Sequence, residues 1–479
     1  MVEITPNLFA YASLLLWPLV ALTLFAKLPP GQALIWTILG AHLLLPVGTA
    51  IKFPAVPALD KETIPNLVAL VGCLTLARRF PPVRNRFGLT EIVLAAMLIG
   101  PFITSEYNGD AIVIGDGVAI LPGVGQYDAL SASVSQLLTL LPFLLGRRFL
   151  RTPRDNLDIL RILSIAGLVY TLPMLLEIRM SPQLHTWIYG YFPHSFEQQF
   201  RDGGYRPVVF LGHGLLVAFF AATTVLASVA LWKTDTRIFQ LPPAGVTAWL
   251  GGALLLCKSL GSLLYAFVMA PLILLASPRA QIRLAVVLAS ISLTYPMLRT
   301  TNLVPVDFLL NAASSVSAAR EASLQVRFEQ EKALLTHASE RIWFGWGRYG
   351  RGRVYDEYGK DISITDGRWI ITLSTFGLFG FLAEFGLMAL SVFRAARAWR
   401  YTTSARERVY LATLAIIVAV GLLDLLPNAS ISPWSWLLAG SLLGRCEALY
   451  AATRRRPAAS ASSGSTSLAA PPRITNASP

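Results

Sequence analysis

The sequence predicts an all-α polytopic membrane protein with about twelve or thirteen transmembrane helices and a large extracytoplasmic loop of short amphipathic helices. Three observations predict it. Hydrophobic residues make up 54% of the 479 positions and charged residues only 14%, too little polar surface to cover a water-soluble chain of this size. Apolar runs of about 17 to 25 residues recur along nearly the whole length, and a helix of about 20 residues matches the roughly 30 Å hydrocarbon layer. Arginine and lysine gather in short links between these runs, which is the positive-inside pattern. The net charge of +13 therefore reports orientation in a bilayer, and no nucleic-acid partner is expected.

The apolar runs lie near residues 8–26, 32–50, 64–78, 89–105, 127–145, 158–176, 207–231, 243–257, 260–276, 282–298, 368–393, 408–427 and 433–450. Glu3, and the lack of a basic n-region or small-residue cleavage site, argue against a removable signal peptide, so the first helix is expected in the mature protein. Arg78, Arg79, Arg84 and Arg86 occupy one link, Arg147, Arg148, Arg151 and Arg154 a second, and Arg394, Arg397, Arg400, Arg406 and Arg408 a third. These links are expected on the cytoplasmic side. Lys233 with Arg237, and Arg279 with Arg283, join them if residues 243–276 form a tight hairpin that goes out and back. The C-terminus, with Arg454 to Arg456, is then cytoplasmic too. Cys73, Cys257 and Cys446 fall in or at the ends of apolar runs without metal-ligand spacing, and read as packing residues.

This alternation leaves two substantial extracytoplasmic loops, 177–206 and 299–367, in a transmembrane domain spanning 1–453. In the larger loop, residues 317–343 read as one or two amphipathic helices, because Leu324, Phe328, Leu334 and Leu335 recur at helical spacing among charged residues. Glycine and arginine from Gly345 to Gly352 predict a turn-rich cationic segment. Residues 454–479 read as a disordered cytoplasmic tail, since the Ala, Ser and Pro from Pro457 onward cannot build a core. No convincing internal repeat marks an inverted-repeat transporter.

The chemistry-bearing residues concentrate in the two outer loops. Trp187, Tyr189, Tyr191 and Phe192 in the first suit the lipid headgroup level. Arg206 stands on the side where the positive-inside bias disfavours cations, so an anion is expected to bind it. In the second loop Arg341, Arg348, Arg351 and Arg353 interleave with Trp343, Phe344, Trp346 and Tyr349. Guanidinium forks bind phosphate oxygens bidentately and aromatic rings stack on the apolar faces of sugars. The alternative is a solvated face neutralised by Asp356, Glu357 and Asp361. Arg327 and His337 lie on the amphipathic stretch upstream, where a lone histidine also has a structural reading. Asp366, Gly367 and Arg368 lead into the next apolar run; Asp366 reads either as a helix cap or as a carboxylate that takes a proton from a sugar hydroxyl. Gly377, Gly380 and Gly386 read as sites of close helix contact.

In the order and spacing of these features, over about residues 60–450, the chain resembles the O-antigen ligase and polysaccharide polymerase superfamily of bacterial envelopes. The resemblance rests on Arg206 to Gly212, on the Arg327 helix followed by Glu340-Arg341-Ile342-Trp343-Phe344-Gly345-Trp346-Gly347, and on Asp366-Gly367-Arg368-Trp369 before Gly377-Leu378-Phe379-Gly380. It implies a metal-independent glycosyltransferase of the bacterial inner membrane, active on the periplasmic face, that needs no cofactor and no nucleotide sugar. Its partners would be an undecaprenyl-diphosphate-linked glycan, a glycan acceptor, membrane lipids and other polysaccharide assembly or export proteins. Arg206, Arg327 and Arg341 would clamp the diphosphate, Arg348, His337 and Arg368 would line the substrate site, and Asp366 would act on the acceptor. Ligases open the helix after the large loop with a His-Asn pair; the matching place here is Asp366-Gly367, which moves the expectation toward polymerisation of repeat units. A family Ser-Arg in the short hairpin is matched by Lys258-Ser259, so Lys258 either replaces that cation or leaves the site without it. Two other readings stay open: a flippase for a lipid-linked oligosaccharide, with Lys258 and Glu384 as its mid-membrane ionisable residues, and a non-catalytic subunit that binds polymer.

Overall fold

In a computed structural model the described residues are 5–53, 57–75, 88–115, 117–201, 203–315 and 317–462, with the backbone alone at 454–462. The basic link at Arg78 to Arg86 and residues 463–479 lie outside them. The chain is mostly helical. In order, the α-helices are α1 Leu8–Lys27, α2 Pro30–Leu44, α3 Thr63–Thr75, α4 Leu89–Glu106, α5 Gln126–Phe149, α6 Pro153–Met180, α7 Leu184–Tyr189, α8 Gly214–Lys233, α9 Pro243–Leu256, α10 Leu260–Leu275, α11 Pro278–Thr300, α12 Val306–Ser314, α13 Ala318–Ser339, α14 Arg368–Ala398, α15 Ala405–Asp424 and α16 Pro433–Ser462. Three antiparallel two-stranded hairpins sit in the connections: β1 Ala50–Ile51 with β2 Leu59–Asp60, β3 Ile112–Ile114 with β4 Ala119–Leu121, and β5 Phe200–Arg201 with β6 Gly204–Tyr205.

Each of the thirteen apolar runs contains a helix. Among the described residues seven of these, α1, α4, α5, α6, α8, α11 and α14, are long and apolar enough to cross a membrane, and α3, α9 and α10 are shorter apolar helices. Their outward faces are apolar as well: Leu15, Leu19 and Leu22 on α1, Val169 and Leu172 on α6, and Phe267 on α10 are all exposed. Inside, α5 and α16 touch backbone to backbone, since a Cβ at Gly440 would collide with the Phe143 carbonyl and one at Gly444 with that of Arg147. This is the close approach that a small-xxx-small spacing permits.

The helices run between two ends of different chemistry. At the basic end Arg147 binds Glu91 at 2.6 Å and Glu447 through Nε at 2.9 Å. Arg445 Nε donates to Glu407 at 2.7 Å, Lys233 donates to the Ile273 carbonyl at 2.9 Å, and Arg279 lies over Trp399. Helices joined by those links return together to the other end, which gathers the long loops. The N-terminal segment belongs to that loop end, because the Asn7 amide donates to the Tyr189 carbonyl at 3.0 Å.

Three expectations need correction. The run at 32–50 stops being helical at Leu45, where the chain turns into β1. Residues 207–213, expected at the start of a helix, are held out of it by Glu177, as described below. Tyr189 and Tyr191 are buried and do not float at a headgroup level: their hydroxyls donate to the Leu44 and Val47 carbonyls and fix the loop onto the end of α2. The backbone of α16 is helical through Ser462.

α14 is broken. Gly377 sits inside it at φ 67°, and the segment 342–347 fills the gap. Leu378 and Phe379 donate to the Ile342 and Trp343 carbonyls at 2.7 and 3.1 Å, while Trp346 and Gly347 donate to Ser374 and Thr375 at 2.9 Å each. Gly377 and Gly345, the latter at φ 70°, both take a left-handed conformation that a side chain would strain, and a Cβ on either would collide with the opposite backbone. The large loop is thereby locked to the helix that follows it. On its other side α13 is tied to α11, where Arg299 reaches Glu331 at 3.2 Å and the Phe328 carbonyl at 3.1 Å.

Candidate functional site

The site begins with a carboxylate that the sequence did not single out. Glu177, buried at the end of α6, accepts the amides of Leu184 at 3.0 Å and of Val208 and Val209 at 2.7 Å each. Three N–H donors on one carboxylate hold the apolar stretch after Arg206 as an irregular strap. The Phe210 amide donates to the Tyr170 hydroxyl at 3.1 Å, and Lys61 donates to the Phe210 carbonyl at 2.9 Å. Arg206 opens this strap, with its amide on the Gln199 carbonyl at 2.8 Å and its side chain only 3% exposed.

The Arg206 guanidinium lies beside the N-terminus of α8: a Cβ at Gly214 would stand 3.3 Å from its Nε. That Nε is buried without a hydrogen-bond partner. Burial, together with the like charges of Arg201, Arg320 and Arg327, pulls its pKa down from 12.5 to about 10. The group stays cationic at neutral pH, in a cluster of cations against the positive end of a helix dipole. Such an arrangement is costly unless an anion occupies it.

His213 caps α8 and completes this surface. Its Nδ1 accepts the Leu215 amide at 3.0 Å, which leaves its proton on Nε2. Burial, then the neighbouring His194, Arg206, Arg201 and Arg327, push its pKa down to about 4, so it is a neutral donor at pH 7. Lys258, at the α9–α10 turn, donates to the Arg201 carbonyl at 3.0 Å and thus stands at the same hairpin.

Arg327 on α13 joins the cluster to a carboxylate: its Nε lies 3.1 Å from Asp366 Oδ2, and both side chains are part-exposed. Arg206, Arg327 and Asp366 are thus brought together from three distant stretches of chain. Asp424 at the end of α15 feels the charge of Arg327 and accepts from Asn428 at 2.9 Å.

Arg368 turns elsewhere. Its side chain binds Glu384 at 2.8 Å, and Thr372 donates to the other oxygen of the same carboxylate at 2.6 Å. The three border a cavity of about 430 Å³ between α4, α5, α14 and the turn at 347–353, which Arg348 also lines. At the start of α14, Thr365 and Arg368 line this cavity while Asp366, between them in sequence, reaches Arg327.

Arg341, expected at the diphosphate, and His337, expected in the substrate site, are engaged with backbone and neighbouring rings. Arg341 donates to the Tyr107 carbonyl at 2.6 Å and to Asn108 Oδ1 at 2.7 Å, and it packs over Trp346 at 4.4 Å. His337 stacks on the same ring at 4.4 Å and contacts the Arg351 carbonyl at 3.1 Å. Arg351 is a buried tie, donating to the carbonyls of Trp346 at 3.0 Å and of Asp110 and Pro122 at 2.9 Å each. Arg353 pairs with Asp361 at 2.7 Å, as a neutralised face would.

Sequence reasoning missed Arg201, Arg320 and His213. The signal that marked Arg206, a cation on the side disfavoured by the positive-inside bias, applies equally to both arginines. Lys61 and Glu62 were also missed. Burial lowers Lys61 to about 8, while burial and Asp60 raise Glu62 to about 7, with Arg368 acting on it in the opposite direction. No family model and no curated protein matches the chain.

Proposed function

We propose that the chain is a polytopic inner-membrane glycosyltransferase that polymerises lipid-linked oligosaccharide repeat units on the periplasmic face, into exopolysaccharide or O-antigen. The apolar outward faces and the two-ended distribution of basic residues support a membrane reading, with the basic end in the cytoplasm and the loop end outside. The observation that carries the activity is Arg206: a buried guanidinium with an unpartnered Nε among like charges, one of which, Arg327, is paired with Asp366.

A membrane-bound diphosphate fits that surface. Arg206 and Arg327 neutralise it, and the α8 N-terminus with His213 Nε2–H supplies neutral donors. Its arrival competes with Asp366 for Arg327 and releases the carboxylate. The acceptor hydroxyl oxygen then attacks the anomeric carbon of the donor sugar and the bond from that carbon to the phosphate oxygen breaks. The diphosphate leaves with the bonding electron pair, and the hydroxyl proton passes to Asp366. Charge that develops on the leaving group meets guanidinium groups already in place, a form of stabilisation worth about 3–4 kcal/mol per donor.

The order of motifs around Arg206, Arg327 and Asp366-Gly367 supports polymerase over ligase, because a carboxylate occupies the place of the ligase histidine. Arg206→Ala and Arg327→Ala proteins that reach the membrane are expected to lose long-chain polysaccharide and to accumulate single lipid-linked repeat units. Normal chain length in both variants would overturn the proposal.

A further inference from the structure

We infer that the cavity between α4, α5 and α14 is the acceptor subsite, holding the terminal sugar of the incoming saccharide while the arginine cluster holds the donor's diphosphate. The inference rests on the glycosyltransferase reading and adds to it a second, chemically distinct pocket.

The lining has the composition that a sugar requires. A pyranose presents hydroxyls that both donate and accept, together with apolar C–H faces. Glu384, on the lining, offers a carboxylate whose charge is met by Arg368 and which also accepts from Thr372, with acceptor capacity left over. Ser135 and Thr139 on α5 donate their protons to backbone carbonyls at 2.8 and 3.0 Å, so their oxygens are left as acceptors toward the cavity. Gln136, between them, has a buried Oε1 without any partner, an acceptor that a ligand hydroxyl would satisfy. Met97 and Phe376 supply the apolar wall. Of the three arginines on the lining, Arg348, Arg353 and Arg368, two are already neutralised, Arg353 by Asp361 and Arg368 by Glu384, which makes the cavity a poorer diphosphate site than the Arg206 cluster.

Size and position agree. About 430 Å³ lies within the range of roughly 300–1,000 Å³ typical of small-molecule sites. The segment 365–368 takes part in both places: Thr365 and Arg368 line the cavity, and the Asp366 carboxylate between them binds Arg327. A sugar seated in the cavity would present a hydroxyl at that segment, where the base and the diphosphate also meet.

The test uses the full chain purified in detergent and, as probe, lipid-free repeat-unit oligosaccharide released from the host's own surface polysaccharide by mild acid. Binding is read by saturation-transfer NMR. The wild type is expected to bind, Arg206→Met to bind as well as wild type, and Gln136→Leu to bind about tenfold more weakly, the loss of one buried hydrogen bond. Thr139→Val, nearly isosteric, gives a second variant with the same expected direction if Gln136→Leu does not fold. Absence of wild-type binding, unchanged binding in the cavity variants, or equal loss in Arg206→Met would each overturn the inference. The two proposals fail separately: normal polymer in both the Arg206 and the Arg327 variants sinks the enzyme reading, whereas an unbound saccharide with polymer lost in those variants sinks only the subsite.

Discussion

Replacing Arg206 by methionine removes one charge and keeps most of the buried stem, and the structure gives the result an unusual sign. Burial and the charges of Arg201, Arg320 and Arg327 lower the Arg206 pKa from 12.5 to about 10, which corresponds to roughly 3 kcal/mol of unfavourable interaction for the cation. Methionine carries none of that cost, so the ligand-free variant is expected to melt at or above the wild-type temperature. Transition-state binding moves the other way. Truncating one partner of a buried charge pair costs about 2–5 kcal/mol, or about 30- to 5,000-fold in rate. Arg351→Met is the contrasting case, because three carbonyls that it now binds lose their donor, at about 3 kcal/mol or more. Thermal melts in detergent and polymer synthesis by the same preparations separate the two roles. If Arg206→Met is destabilised as Arg351→Met is, and its activity merely follows the amount of folded protein, Arg206 is structural and the reasoning fails.

Arg341→Ala should act on the loop and leave diphosphate binding in place: a loss of about 1–3 kcal/mol in stability, read by melting, with the apparent KM for lipid-linked substrate unchanged. Gly377→Ala should lower the yield of folded protein sharply, since it adds left-handed strain of about 1–3 kcal/mol to a collision with the Trp343 backbone; near-normal yield in membranes would contradict the pairing of 342–347 with the break in α14. His213 holds a pKa of about 4 against 6.5 unfolded, so the unfolded chain binds more protons between these values and stability falls as pH drops from about 6.5 toward 4. His213→Asn, which keeps a capping acceptor, should show a shallower fall in melting temperature over that range; identical slopes would refute the assignment.

Hydropathy located the helices because an apolar run of spanning length has few alternatives. It misplaced ends where a distant group decides the backbone: nothing local in Val208-Val209 says that Glu177, some thirty residues earlier, takes their amides. The amphipathic stretch at 317–343 became α13, Ala318–Ser339, close to the periodicity. The arginines show the limit most clearly. Arg327, Arg341, Arg348 and Arg351 are near neighbours in sequence, yet one joins Asp366, one lines the cavity, and two bind carbonyls of the β3–β4 hairpin and the end of α4. Residue type raised the expectation of an anion and a sugar as ligands; the break at Gly377 locks the segment 342–347 against α14, and a left-handed glycine inside an apolar run reads in sequence as ordinary helix packing.

The central claim is that the loop end makes glycosidic bonds. Purified protein in liposomes loaded with lipid-diphosphate-linked repeat units, without metal or nucleotide sugar, tests it directly. The account predicts new glycosidic linkages, seen as a ladder of lengthened lipid-linked oligomers that Arg206→Met and Arg327→Ala fail to make. Translocation of the repeat unit across the bilayer with no lengthening would contradict it and identify a carrier.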